Sequence, residues 1–407
     1  MHKFSIYLNI FLEKNQDNEY YISMQKIVTF HIDEYGDEPE ACAAAPGRFH
    51  LLGEHTWFAQ GNTLSMAINH YLYVCASRRS DNNFRLFSIS LNERKKISSS
   101  GLRYKKEDRW ANSVKAVIAA FIDSGYPISG LNFTILSEIP SDAGLGTPNA
   151  LKTAVALILR KLFAPKLSKN DLVDILEHAN TQHLNTYPHR ADILCALFAK
   201  ANHCVRTDHR KKTAEIYPFP IEGHSIILTD SRVPRIIARE ELGARLDECI
   251  DAYELVKKQP DMPKDMSQLT EKMLEELDIP ESVRRRVTYI IRESLSVDDA
   301  VDSLKRNDNV MLSRILNRSH EGLRDRFEIS CPELDWIVKR SLEFIEPSST
   351  NVVCARMTGK GFGGCTYTII SEKDALTYTE KLDDYERIFG FKPLLYKARP
   401  TGCARIF

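Results

Sequence analysis

The chain has no surplus of either charge, no paired-cysteine motif and no long apolar run. Across 407 residues, 55 basic side chains balance 55 acidic ones, so the formal net charge is zero. That balance argues against a polyelectrolyte and against a nucleic-acid partner. Basic runs such as Arg284-Arg285-Arg286 and Arg210-Lys211-Lys212 are short and interleaved with acids, as on solvated helix faces. The nine cysteines are odd in number and none forms a C-x-x-C pair. Neither a zinc ribbon nor a disulfide framework is therefore expected; free thiols in a reducing compartment are. No apolar stretch reaches the roughly 18–20 residues that cross a bilayer, so no membrane partner is expected. Phe4 to Leu12 follows Lys3 like a signal-peptide core, but it lacks a small-residue cleavage site and runs into Glu13, Lys14 and Asn15. A cytoplasmic protein is expected. Internal repeats and low-complexity tracts are absent too.

What is present is ordinary globular material, 43% hydrophobic and 27% charged, with enough chain for two domains. Residues 1–23 read as a disordered extension before a domain that begins at Met24. Val114, Val117, Ile118, Phe121 and Ile122 share one helical face between Asn112 and Ser124, and Gly125 is the stop. Leu131 to Ser137 alternates as a strand. A loop to Pro148 then leads into a helix from about Asn149 to Phe163, with Leu151, Ala154, Val155, Ile158, Leu159 and Leu162 as its apolar face. Ser168 and Asp171 form a plausible capping box for the next helix. Ser225 to Thr229 and Thr366 to Ile370 read as strands. Glu240–Lys258 and Pro280–Asn307 read as amphipathic helices separated by Gln259-Pro260-Asp261-Met262-Pro263. Strands and helices mix without a clean βαβ repeat, so the expected class is α/β or mixed α+β, with domains at 24–220 and 221–407.

Three loops carry the chemical signal. The first, Ala45 to Thr56, packs Arg48, His50, Glu54 and His55 around Gly47 and Gly53. An arginine there can fork its donors onto a phosphate or an anionic hydroxyl, although a turn flanked by surface charge fits equally. The second is Pro140-Ser-Asp-Ala-Gly-Leu-Gly-Thr-Pro-Asn149, between strand and helix. Small residues at a helix N-terminus aim free N–H groups at one point, which suits an anion; a plain tight turn is the competing reading. It lacks Walker A spacing. The third, Met357 to Cys365, places four glycines within six residues. Gly359, Gly361 and Gly364 satisfy G-x-G-x-x-G, but strand sequence follows where a dinucleotide-binding turn must open a helix. The glycines still mean close backbone approach to a ligand or a neighbouring segment.

Together these loops resemble the three signature motifs of the GHMP kinases, and within them those of the galactokinase family. Trp110-Ala-Asn-Ser-Val-Lys115, Leu316-Asn-Arg-Ser-His320, Ser330-Cys-Pro-Glu-Leu-Asp335 and Cys354-Ala-Arg-Met-Thr-Gly359 are similar to family segments as well. The resemblance spans roughly residues 40 to 371. It implies two α/β domains with the active site in the cleft between them, the C-terminal one ferredoxin-like. The implied reaction moves the γ-phosphoryl group of ATP to the anomeric hydroxyl of galactose or a related hexose. Asp192 aligns with the residue taken as general base, and Arg48 with the arginine that stabilises the alkoxide. Glu54, His55, Trp57 and Gly359 fall at sugar-binding positions. Trp110, Gly144, Leu145, Gly146 and Thr147 fall at nucleotide-binding ones, and Thr147 and Asn180 where Mg²⁺ would be held. The implied partners are a small sugar and ATP, on a monomer.

The departures from the family pattern cluster at the ligands. Trp57 stands where the family has Asp, and an indole donates a hydrogen bond but cannot accept one. The phosphate loop reads Gly144-Leu-Gly-Thr-Pro-Asn149 in place of Gly-Leu-Ser-Ser-Ser-Ala, and Pro148 deletes an N–H donor. Asn180, twelve residues before Asp192, replaces an acidic metal ligand with a neutral amide. Gly243 stands for a tyrosine near the sugar, and Arg190, two residues before the base, is placed to lower its proton affinity or occupy its partner. A sugar kinase of galactokinase type is therefore the first reading. The alternative is a weak or silent homologue that senses sugar or nucleotide. A kinase for another small alcohol is disfavoured by the retained Gly-Glu-His and Arg-Met-Thr-Gly segments.

Overall fold

The computed structural model describes residues 16–236, 238–259, 263, 268–346 and 350–407. The chain opens with helix α1 (Gln16–Tyr35), followed by strands β1 (Ala41–Leu52), β2 (Asn62–Arg78), β3 (Phe84–Ser88) and β4 (Glu93–Ile97). Helix α2 (Ala111–Asp123) and strand β5 (Leu131–Ser137) come next, then helices α3 (Thr147–Phe163), α4 (Lys169–His178) and α5 (Arg190–Phe198), with a π-helical turn at Ala179–His183. Strands β6 (His203–Asp208), β7 (Thr213–Pro218) and β8 (His224–Asp230) lead into helices α6 (Ala238–Lys258), α7 (Glu271–Glu275), α8 (Glu281–Arg306), α9 (Asn309–Asp325) and α10 (Pro332–Leu342). The chain ends with β9 (Cys354–Met357), β10 (Cys365–Ser371), α11 (Glu372–Lys381), α12 (Asp384–Phe389), β11 (Leu394–Ala398) and β12 (Arg405–Ile406). The helices and strands expected from periodicity are all present, with ends shifted by one or two residues. The capping box at Ser168 and Asp171 is present in both directions.

An eight-stranded sheet carries the path β12-β1-β2-β5-β3-β4, with β6 and β7 added beside β2. Its inner face packs on α3 through Leu151, Ala154, Val155 and Ile158, all buried as their 3.6-residue spacing requires. The outer face is covered by α1, whose Ile27 packs against Ala44, Tyr73 and Leu136. His31 of α1 is fully buried between Thr134 Oγ1 at 2.9 Å and Ser77 Oγ at 3.0 Å. The second sheet is antiparallel in the order β11-β8-β10-β9. Counting its strands along the chain gives fourth-first-third-second, in β-α-β-β-α-β connectivity, which is ferredoxin-like. Among the described residues no helix is long and apolar enough to cross a membrane.

Two expectations need correction. Residues 16–23, read as part of an extension, form the opening turns of α1, and Ser23 there is buried and hydrogen-bonded to Glu138. Residues 1–15 lie outside the described residues. Cys42 and Cys75, expected to be free, are joined as a disulfide with Cα atoms 4.1 Å apart. They are direct partners in the antiparallel β1–β2 ladder. That opposition comes from strand register and leaves no trace in the spacing of cysteines along the chain.

Candidate active site

Arg48 reaches the site because β1 is broken just before it. The β1–β2 register shifts between Pro46 and Gly47, where proline cannot donate to the ladder. Gly47 then lets the second loop press close; a Cβ there would stand 3.1 Å from the Leu145 carbonyl oxygen. That same oxygen accepts from the Arg48 backbone N–H at 2.9 Å. The guanidinium donates through Nε to Asp192 Oδ1 and through Nη1 to the Gly144 carbonyl at 2.8 Å. Gly146, at φ +86°, has the left-handed backbone that glycine favours, and a Cβ there would press on Arg48 at 3.3 Å.

Asp192 is the third residue of α5, where the helix dipole favours an acid. Asn149 Nδ2 donates to its Oδ2, His50 Nε2 lies 3.1 Å from Oδ1, and His189 Nδ1 lies 3.6 Å from Oδ2. Burial pushes this carboxyl up, but the Arg48 and His50 side chains outweigh it and hold Asp192 well below the usual carboxylate range. Burial likewise lowers His189 to about 4, so its ring is neutral at pH 7. Arg190 does not take the partner site foreseen for it. It pairs with Glu177 and donates to the His209 carbonyl at 2.9 Å.

The third loop meets the second directly. A Cβ on Gly359 would lie 3.5 Å from the Gly144 Cα, and Thr358 Oγ1 accepts from the His50 N–H at 3.3 Å. At Gly361 a Cβ would fall 2.3 Å from the Ile329 carbonyl oxygen, and at Gly364 it would fall 2.6 Å from the Arg235 guanidinium carbon. The glycine pattern thus serves close approach between segments, and Arg235 is a cation over the loop that sequence reading did not single out.

Glu54 turns away from solvent. One oxygen accepts from the Gly359 N–H at 2.8 Å and the other from Arg356 Nη1 at 2.9 Å. Arg356 is fully buried and also donates to Glu293 at 3.0 Å and Ser319 at 2.8 Å, tying the first loop to β9, α8 and α9. Burial alone would raise the Glu54 carboxyl, yet Arg356 and the His50 and His55 rings bring it below its usual value. His55 stacks on Phe327 at 5.4 Å, and burial lowers its ring to about 4. Its Nε2 has no hydrogen-bond partner among the described residues. Trp57 leans on Tyr187 with ring centroids 4.4 Å apart. Trp110 precedes α2 and donates from its indole to Glu93 at 2.8 Å. Gly243 lies within α6.

Of the two expected metal ligands, Asn180 does not fit a divalent ion. Thr147 is the first residue of α3 and Pro148 follows it in the opening turn. Asn180 gives its Nδ2 to the Pro188 carbonyl at 2.7 Å, and its Oδ1 accepts from the Lys152 ammonium. An ammonium already stands on the oxygen that a cation would need, and the two positive charges exclude each other. Burial lowers Lys152 to about 8, against the opposing pull of Asp192. Lys152 interrupts an apolar helix face three residues after Asn149; that break was the signal in the sequence that could have found it. Among the described residues the one grouping of three metal-type ligands is a different set, Asp123, His178 and His183.

Family models match three stretches: the galactokinase galactose-binding signature over residues 29–78, the GHMP kinase N-terminal domain over 112–200 and its C-terminal domain over 300–384. A galactokinase of Thermotoga maritima is 30% identical over 355 residues, covering 87% of this chain and 96% of its own. The chain belongs to the galactokinase family. A Treponema pallidum protein that carries the galactokinase name provisionally is 63% identical over 385 residues, 95% of this chain and 97% of its own. The solved galactokinase of Lactococcus lactis, complexed with galactose, shares the fold with a TM-score of 0.86 at 22% identity, covering 94% of this chain and 99% of that one. This galactokinase homologue is accordingly an ATP-dependent sugar kinase, and none of these findings favours the silent-sensor alternative.

Proposed function

We propose that the protein phosphorylates the anomeric hydroxyl of galactose, with Asp192 as general base and Arg48 as the group that stabilises the oxygen as it loses its proton. The observation that carries this reading is the meeting of Arg48 and Asp192, distant in sequence, beside the Gly144–Thr147 loop. A carboxylate held this low is ionised at neutral pH, oriented by Asn149 and ready to accept a proton. Its weak proton affinity suits phosphoryl transfer, in which positioning and charge neutralisation outweigh covalent help. The loop supplies N–H groups at the start of α3 for phosphate oxygens. Glu54 acts in this reading by fixing the first loop through Arg356 and Gly359, which positions His55 and Trp57 at the sugar side. ATP is the donor; no step passes through an ion held by Thr147 and Asn180.

The test is direct. Purified protein given ATP and galactose should form ADP in a coupled assay and a sugar 1-phosphate by phosphorus NMR, and Asp192→Ala should abolish both. Failure on galactose and on a broad hexose panel, with the protein folded, would overturn the reading.

A further inference from the structure

We propose that the Lys152 ammonium, seated on Asn180 Oδ1, takes the place of a protein-held divalent ion, so that nucleotide phosphates bind this loop without a metal ligated by the protein. The inference deepens the kinase reading and rests on it. Lys152 is the sixth residue of α3, whose first turn is the phosphate loop. It lies one turn beyond Asn149, on the side of the helix where Asn149 meets Asp192. The residue is 3% exposed, and a buried charge demands a partner. Its hydrogen-bond acceptor is the neutral amide of Asn180. Among the described residues no carboxylate stands within ion-pair distance of its Nζ. The nearby carboxylate, Asp192, already faces Arg48. The pocket thus sets two cations, Arg48 and Lys152, against the one carboxylate of Asp192, and an ammonium with three donors has two left for phosphate oxygens. Arg235 adds a second cation: its Nη1 would lie 3.6 Å from a Cβ on Gly144.

The chemistry that fits is a polyphosphate whose charge is met by lysine and arginine donors and backbone N–H groups. The probe is AMP-PNP, titrated by calorimetry into the full-length protein once in Mg²⁺ and once in EDTA. The wild-type dissociation constant should agree within threefold between the two buffers, and Lys152→Met should weaken binding in EDTA at least tenfold. The wild-type comparison needs no variant, so a misfolded Lys152→Met protein leaves the test standing. Wild-type binding at least tenfold weaker in EDTA would overturn the inference and leave the kinase reading intact. So would a folded Lys152→Met protein that binds like wild type. No binding in either buffer would overturn the kinase reading and this inference together.

Discussion

Two arginines, the buried Arg356 and the mostly buried Arg48, differ in how completely they are satisfied. Arg356 is sealed, with side-chain exposure of 0%, and faces two carboxylates, Glu54 at 4% and Glu293 at 2%. The His50 and Met357 carbonyls take its remaining Nη1 contacts, and Ser319 takes its Nε. Arg48 is 13% exposed and shares a single carboxylate, Asp192, which lies near a second cation, Lys152. One centre holds a surplus of negative charge spent inside the fold; the other holds a surplus of positive charge facing a loop built for anions. A fully matched buried network specifies structure, whereas an incompletely matched one leaves room for a ligand.

The sharpest way to break this contrast is to neutralise each centre. Asp192→Asn keeps the side chain's shape and removes the base, so kcat should fall roughly 10²–10⁴-fold in the coupled assay while the KM for ATP stays within a few-fold. Arg356→Met should act on stability: it strands Glu54 and Glu293 without a cation, and the urea midpoint should report a loss of about 3–5 kcal/mol. If Arg356→Met spared the midpoint and abolished turnover, the sealed centre would belong to the chemistry and the contrast would fail.

Acid acts on both centres, through His55 in one and His189 in the other. The His55 ring is depressed to about 4 in the fold against 6.5 when unfolded, so below pH 6.5 the unfolded chain binds a proton that the folded one refuses. Stability from this site is complete above pH 6.5 and is lost as pH falls toward 4, by at most about 3 kcal/mol. Glu54, lowered by its surroundings, gives stability that is present above its unfolded value and is lost only at lower pH. Urea midpoints at pH 7, 5.5 and 4.5 should decline, and His55→Gln should remove its own share of that decline, His31, His189 and His209 carrying the rest. Asp192 stays ionised throughout, so initial rates of the folded enzyme should show no acid limb from the base between pH 7 and 5.

Much of this was legible in the sequence because it is local. The α3 stripe, the Ser168 cap and the β10 run are set by spacing and by neighbours within a turn or two, and they stand where periodicity put them. The pairing of Arg48 with Asp192 came from motif resemblance, since nothing local joins residues 144 positions apart. What stayed hidden depends on register and on long-range partners. The Cys42–Cys75 bond follows from strand pairing. Motif resemblance puts Glu54 near the sugar, but that its oxygens accept from Arg356 and from the Gly359 N–H, some three hundred residues away, is set by long-range packing. Lys152 goes unremarked in the sequence because its meaning lies in its contact with Asn180, 28 residues on.

Trp57 yields the smallest effect and joins the two centres. It follows the sealed Glu54-His55 pair by two residues, and its ring rests on Tyr187, two residues before His189. In Trp57→Asp the lost aromatic contact costs about 0.5–1.5 kcal/mol. The new carboxylate offers the sugar an acceptor that an indole cannot, and a satisfied hydroxyl returns about 1–3 kcal/mol. The aromatic loss falls on free and bound enzyme alike and lowers stability, so the KM for galactose should fall by the hydroxyl's share, at least roughly fivefold, with the KM for ATP unchanged. A rise in galactose KM would mean that the indole face itself meets the sugar, and the ligand side of the contrast would then extend from Asp192 across Tyr187 to Trp57, up to the edge of the sealed centre.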